Sequence, residues 1–411
     1  MERIQLIVVM TILFLTLVKI KSLEERGIYT DLLRKFTEEG HEVFVVNPSE
    51  RRDKKKTHLT SKDQVSILNV RTFNLQKTNL VEKGIGTLAI EYQYLNAIKK
   101  YFSTVKFDLV LYSTPPITFS KVIDYVKIRD NAYSYLLLKD IFPQNAVDMK
   151  MLKKGSVLHK LFLKKERRLY EVSDAIGCMS EANRNYVITH NPTLAPLKVE
   201  VNPNSIAPII IIQSIEERQI ERDKYNLPLH KKIVVYGGNL GKPQGLEFLL
   251  TTINATVNPD VFFLVVGSGT EYNRIFLWFQ KNQPKNAKLL AGLPKQDYDK
   301  LLKSCDVGMI FLHKDFTIPN FPSRLLSYLE MKMPVIAATD AISDIGSVLE
   351  KNKCGYSVLS GDVVSMQKAI EALCSNENRF NQMRENAWHL LQREYTVTHS
   401  YQLIKNRLNH V

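Results

Sequence analysis

Short, continuous apolar runs recur along this chain, each ending in a turn signal and each followed by a stretch with helical spacing. Runs of this kind fit strands that are buried on both faces. They predict strands over 42–47, 66–72, 108–113, 134–138, 175–179 and 199–201, with helices over 87–102, 116–128 and 157–170 between them. The alternation resumes at 232–236 and continues through 261–266, 287–290, 307–311 and 335–338. Alternating strand and helix implies a parallel sheet covered by helices, with ligands held at the carboxyl ends of the strands. The pattern therefore predicts an α/β protein with two Rossmann-like domains. The first spans 1–205, a linker 206–230, the second domain 231–376, and C-terminal helices 377–411. The isoleucine run 209–212 reads either as part of the linker or as a packed segment.

Two junctions carry candidate chemistry. The first is Tyr236-Gly-Gly-Asn-Leu-Gly-Lys-Pro-Gln-Gly245, between a strand and a helix expected to begin at Leu246. Glycines followed by a helix start let backbone N–H groups converge on a phosphate, and Lys242 adds a mobile positive charge. An ordinary strand-to-helix turn has the same outline. A Walker loop it is not, because Tyr236 and Pro243 stand where that motif needs a glycine and a Ser or Thr. The second junction is Pro322-Ser-Arg-Leu-Leu-Ser-Tyr-Leu-Glu330, which reads as a helix running to about Met333 with Ser323 as N-cap. Arg324 then falls in the first turn, where a cation opposes the helix dipole. An anion held there accounts for it better than helix stability does.

These two junctions, in this order and spacing, resemble the donor domain of family 4 retaining glycosyltransferases, in the branch that builds capsular polysaccharide and O-antigen units. The segments 262–270, 292–298 and 305–310 are similar to the same domain, and Leu137-Leu-Lys-Asp-Ile-Phe-Pro-Gln-Asn145 resembles the family's Arg-Asp-Leu-Trp-Pro-Glu-Ser segment. The resemblance implies the GT-B architecture, in which two Rossmann-like domains face a cleft and a C-terminal helix crosses back to the first. It implies donor binding by Gly238, Asn239, Gly241, Gly267, Leu293, Pro322, Ser323, Ser327 and Glu330, with Lys242 and Arg324 on the leaving diphosphate. Asp140 is expected to orient the acceptor hydroxyl or the sugar, though a loop Asp capping Pro143-Gln144 fits the same pattern. Glu25, Arg26 and Gly27 follow the first strand on the acceptor side. Growing charge on the β-phosphate would be met by the two cations and by backbone N–H groups near Gly238 and Ser323. No metal and no cofactor are then required, and the chain lacks an Asp-x-Asp motif.

The chain also departs from the family pattern. Two glutamates usually stand eight residues apart ahead of the Pro-Val-Ile-Ala strand; those positions are Pro319 and Ser327. Ser327 could still bond a ribose hydroxyl, with Glu330 one turn further on. The usual phosphate-binding Arg and Lys fall at Asn239 and Gln244. Two alternatives to a transferase stand beside it: a nucleotide-sugar 2-epimerase on the same fold, and, suggested by the missing glutamates, a catalytically weak binding or assembly subunit.

Composition adds a location. Of the 56 Lys and Arg, 32 lie up to Ser205 against 22 acidic residues, and 24 against 20 come after it. The basic excess thus sits on the acceptor domain, part of it in the stretch 150–168. There Leu158, Leu161, Phe162 and Leu169 share one helical face, and Lys160, Lys164, Arg167 and Arg168 crowd another. Docking on an anionic membrane surface and a solvated face of a core helix both fit. Nucleic acid is not expected, since no recognition module or aromatic platform accompanies the charges. Four scattered cysteines give neither zinc spacing nor a disulfide framework and fit a reducing compartment. The apolar stretch 4–18 is short for a membrane span. Residues 10–18 read as the first strand and 28–39 as the helix after it. The first nine are then extra, or a signal, anchor or hydrophobic foot. The expected partners are a nucleotide-sugar donor, most simply UDP-linked, and a lipid-carried saccharide at the cytoplasmic face of the membrane.

Overall fold

A computed structural model describes residues 9–74, 80–210 and 214–408. Residues 1–8, part of the N-terminal stretch expected to be an extra segment or membrane foot, lie outside the described residues. The chain forms two compact units. One takes the chain up to Ala207 together with the stretch from Val397; the other is Pro208–Thr396.

The first unit is built on β1 (Thr11–Leu15), β2 (Glu42–Glu50), β3 (His58–Lys62), β4 (Val65–Thr72), β5 (Leu109–Ser113), β6 (Tyr133–Leu138), β7 (Ala175–Cys178) and β8 (Val199–Val201). They lie in the order β3-β4-β2-β1-β5-β6-β7-β8. All pairs are parallel except the β3–β4 hairpin. The first strand is shorter than 10–18, because Thr16 turns the chain: its hydroxyl accepts the Val18 N–H at 3.0 Å. Ile12, Phe14, Leu33, Phe36, Val43, Val45, Leu109 and Leu111 fill the core. The helix Val397–Leu408 closes one side, where Tyr401 packs edge-on to Phe36 and its hydroxyl lies 3.0 Å from His41 Nε2.

The second unit contains β9 (Lys232–Asn239), β10 (Val261–Ser268), β11 (Ala287–Ala291), β12 (Val307–Phe311), β13 (Val335–Thr339) and β14 (Gly355–Leu359), ordered β11-β10-β9-β12-β13-β14. Every pair in this sheet is parallel. The chain winds outward from β9 to β11, returns to the middle at β12 and winds the other way. The crevice where β9 and β12 part is the switch point of such a sheet. The stretch read as linker carries the helix Ile215–Lys224, whose start is a capping box between Ser214 and Glu217. That helix is fastened by Asp306, at the head of β12. Its carboxylate takes Arg218, Arg222 at 2.7 Å and the Ile233 N–H at 2.7 Å. Arg222, 2% exposed, donates further to the carbonyls of Ser304, Pro228, Leu229 and Lys231. The helix Glu377–Glu394 belongs to this unit, and the chain returns to the first unit after Thr396.

In the helix Val157–Val172 the buried residues are His159, Glu166, Leu169, Tyr170 and Val172, while Leu158 and Leu161 face solvent. Glu166 is tolerated inside because the Tyr170 hydroxyl donates to it at 2.9 Å.

Candidate functional site

The glycine loop ends β9 beside the switch point. β9 and β12 pair only at Val307–Val234 and Gly308–Val235, then separate. Tyr328 spans the opening. Its hydroxyl accepts the Gly237 N–H at 3.3 Å and faces the carbonyls of Val235 (3.3 Å) and Met309 (3.2 Å). Burial pushes that hydroxyl up to about 12, so it keeps its proton and can donate. Its ring packs against Gly308, where a Cβ would come within 2.4 Å of it. Tyr298 occupies the equivalent place over Gly237, whose Cβ would meet the phenol oxygen at 1.9 Å. Sequence reasoning missed both tyrosines; the signal was the pair of glycines facing them.

Gly238 has φ +118°, a conformation that a side chain would strain. Its register partner on β10 is Gly267, and a Cβ there would lie 1.9 Å from the Gly238 carbonyl. Gly267 is thus required by close approach of the two backbones. Asn239 is exposed, and its side-chain amide donates weakly to Gln244 at 3.4 Å. Gln244, standing where the family's lysine falls, spends the same oxygen on the Gly241 N–H at 3.2 Å. The chain does not enter a helix directly at Leu246, as the sequence pattern predicts. A 3-10 turn, Lys242–Gln244, comes first, Gly245 takes a left-handed conformation, and the helix begins at Glu247. The turn arises because Pro243 supplies no N–H and its carbonyl is taken by His313 N–H at 2.9 Å. Lys242 stands exposed at the start of the turn.

Arg324 opens the helix Arg324–Glu330, which stops short of Met333. Its guanidinium carbon sits 4.4 Å from the centre of the Tyr236 ring, a cation–π contact. A Cβ on Gly238 would be 3.8 Å from its Nη2. Nη1 is buried without a hydrogen-bond partner. A charged donor in that state costs several kcal/mol unless an acceptor arrives. Ser323 is not the side-chain cap expected of it. Its φ and ψ, −62° and −17°, are already helical, it makes no capping bond, and the entry is closed by Leu325 N–H to Pro322 carbonyl at 3.2 Å. Pro322 and Ser327 are half-buried near this start, and Leu293 is half-buried after β11. Glu330 is not open to a ribose: it is buried, and one carboxylate oxygen accepts the Ile209 N–H at 3.0 Å.

The acceptor-side residues lie in the first unit. Asp140 is exposed just past β6, and the turn holding it is pinned by Thr114, whose hydroxyl accepts the N–H groups of Lys139 (2.9 Å) and Asp140 (3.2 Å). Tyr29 comes near it: burial, and after it the Asp140 charge, push its phenol up to about 12 against the lowering effect of a bond to Ser113. Glu25 is exposed. Arg26 is committed to structure, donating to the Ala207 carbonyl at 2.9 Å. Gly27 is extended at the start of the helix Ile28–Glu38, where its N–H is taken by buried Asp31 at 3.1 Å. Among the described residues no cluster of His, Cys, Asp and Glu could hold a metal ion.

Residues 217–389 match the family described as glycosyl transferases group 1. WbjE of Pseudomonas aeruginosa, described as a probable glycosyltransferase, is 24% identical over 307 residues, 72% of this chain and 73% of its own length. WcaI of Escherichia coli, described as a glycosyl transferase of colanic acid biosynthesis, is 27% identical over 132 residues, 31% of this chain and 32% of WcaI. In three dimensions the chain is similar to HepE of Anabaena, solved in complex with UDP, with a TM-score of 0.70 at 13% identity over 98% of this chain and all of HepE. The loop at Gly238 and the arginine facing it lie inside the matched segment, so residues 217–389 are a group 1 glycosyl transferase domain, and the chain that carries them is a glycosyltransferase with the GT-B fold.

Proposed function

We propose that the chain moves a sugar, with retention, from a UDP-linked donor to a lipid-carried saccharide in surface polysaccharide biosynthesis, working at the inner face of the cell membrane. The observation that carries the donor half is the unpartnered, buried Nη1 of Arg324 beside Gly238. A diphosphate supplies the missing acceptor, and Lys242 adds charge at the rim. As the glycosidic bond to the donor breaks, both cations gain interaction with the departing oxygen, which stabilises the transition state more than the ground state. No metal is invoked, because the two cations supply the positive charge. The likeness to HepE bound to UDP supports the choice of base, and WcaI supports a polysaccharide product. Asp140, exposed past β6, serves to orient the acceptor hydroxyl.

Incubation with UDP-sugars, with and without a bacterial lipid-linked saccharide fraction, tests this. The reading expects UDP release and a glycosylated lipid only when the lipid fraction is present. An epimerised nucleotide-sugar formed without any lipid would replace it by the epimerase alternative. No product with any donor would favour a binding subunit.

A further inference from the structure

The outward face of the helix Val157–Val172, with the segment just before it, sets apolar side chains in water. Val157 is 87% exposed, Met151 72%, Leu158 48% and Leu161 37%. The helix cannot roll to hide them. Its inner face is occupied by His159, Glu166, Leu169 and Tyr170, and Arg168 is tied to Asp124 of the helix Ser120–Asp130 at 2.7 Å. Along the outward stripe, helical spacing lines up Val157, Leu161, Lys164 and Arg168, so an apolar tip runs into a basic shaft.

Cations surround the tip. Lys150, Lys153, Lys154, Lys160 and Lys164 are exposed and enter no ion pair among the described residues. Between 150 and 168 there are eight Lys and Arg against one acidic residue, Glu166, and that one is buried. Two features thus coincide: apolar area that gains by leaving water, and unpaired positive charge around its edge. A second copy of the chain is a poor occupant, since a two-fold contact would press the same lysines against each other. An anionic bilayer answers both features, taking the apolar side chains below its headgroups while the lysines reach up to the phosphates.

We propose that Met151, Val157, Leu158 and Leu161 insert into an anionic lipid bilayer, held there by the lysines around them. This deepens the membrane-side reading of the acceptor, on which it rests, by naming an inserted wedge rather than surface attraction alone. Vesicle binding needs neither donor nor acceptor, so its outcome is separate from that of the transfer assay.

Flotation of the full chain with phosphatidylcholine vesicles, with and without phosphatidylglycerol, is the test. Wild type floats with the anionic vesicles only. The double variant Leu158→Ser/Leu161→Ser loses about tenfold or more in vesicle affinity, and the loss persists at high salt. Lys160→Gln/Lys164→Gln also binds less, with a flatter dependence on salt. Because these side chains are exposed, both variants should melt with wild type. Val157→Trp should shift its emission to the blue with anionic vesicles alone. Wild type that stays unbound, or a leucine variant that binds as wild type does, overturns the wedge. So does a leucine variant that converts a dimer to a monomer in sedimentation equilibrium, which would make a second copy the occupant.

Discussion

Arg324→Ala lowers the transfer rate by about 10²–10³-fold, the usual effect of removing one preorganised donor from a developing oxyanion. Nucleotide diphosphate affinity falls about 10–100-fold, as expected when a hydrogen bond to a charged group is lost. The size reflects the side chain's setting. Its ring contact with Tyr236 fixes the guanidinium plane, and its free Nη1 is already desolvated, so little has to reorganise when the phosphate arrives. Arg324→Lys should recover only part of the loss, because an ammonium cannot stack or present a planar fork. Steady-state kinetics with titration calorimetry read both effects. An Arg324→Ala enzyme that binds UDP within twofold of wild type would remove the arginine from the diphosphate site.

The largest effect on stability is expected at Asp306. Asp306→Ala strands Arg222, 2% exposed, with its charge uncompensated, and frees the Ile233 N–H at the start of β9. Breaking a buried pair from one side costs about 3–5 kcal/mol. For a unit of this size that is a fall on the order of 10 °C in melting temperature. Some recovery is expected from removing the arginine as well, in Asp306→Ala/Arg222→Met, since the stranded charge is then gone. Calorimetry of the three proteins measures it; equal melting of the single and double variants would show that the charge is solvated after all.

The central strands were legible because they are nearly continuous apolar runs: β5, β12 and β13 are buried at every position, whereas β14, half exposed at the far edge, was not expected. β3 was not, since four of its five residues are exposed and it pairs only at an edge. Arg324 was legible from chemistry, as a cation at the wrong end of a helix. Glu330 was misread for the opposite reason. It lies on the expected face, but its partner, the Ile209 N–H, comes from 121 residues away, where sequence spacing is silent. A helical wheel likewise locates a face without saying where it points. The helix Val157–Val172 turns His159 and Glu166 inward, where the Tyr170 hydroxyl donates to Glu166 and His159 accepts the Gly155 N–H, partners seen only in space. Ser323 failed at the level of backbone angles: a cap needs an extended residue, and the chain was already helical there.

The Gly238–Arg324 corner is proposed to hold a nucleotide diphosphate. The most direct measurement is thermal stabilisation of the full chain by UDP, GDP, ADP, CDP and dTDP, wild type beside Lys242→Ala. A ligand present at 100 times its dissociation constant adds about 2.7 kcal/mol, which shifts the melting temperature measurably. UDP should stabilise wild type most, and Lys242→Ala should lose much of the shift. No stabilisation by any of the five would contradict the proposed site.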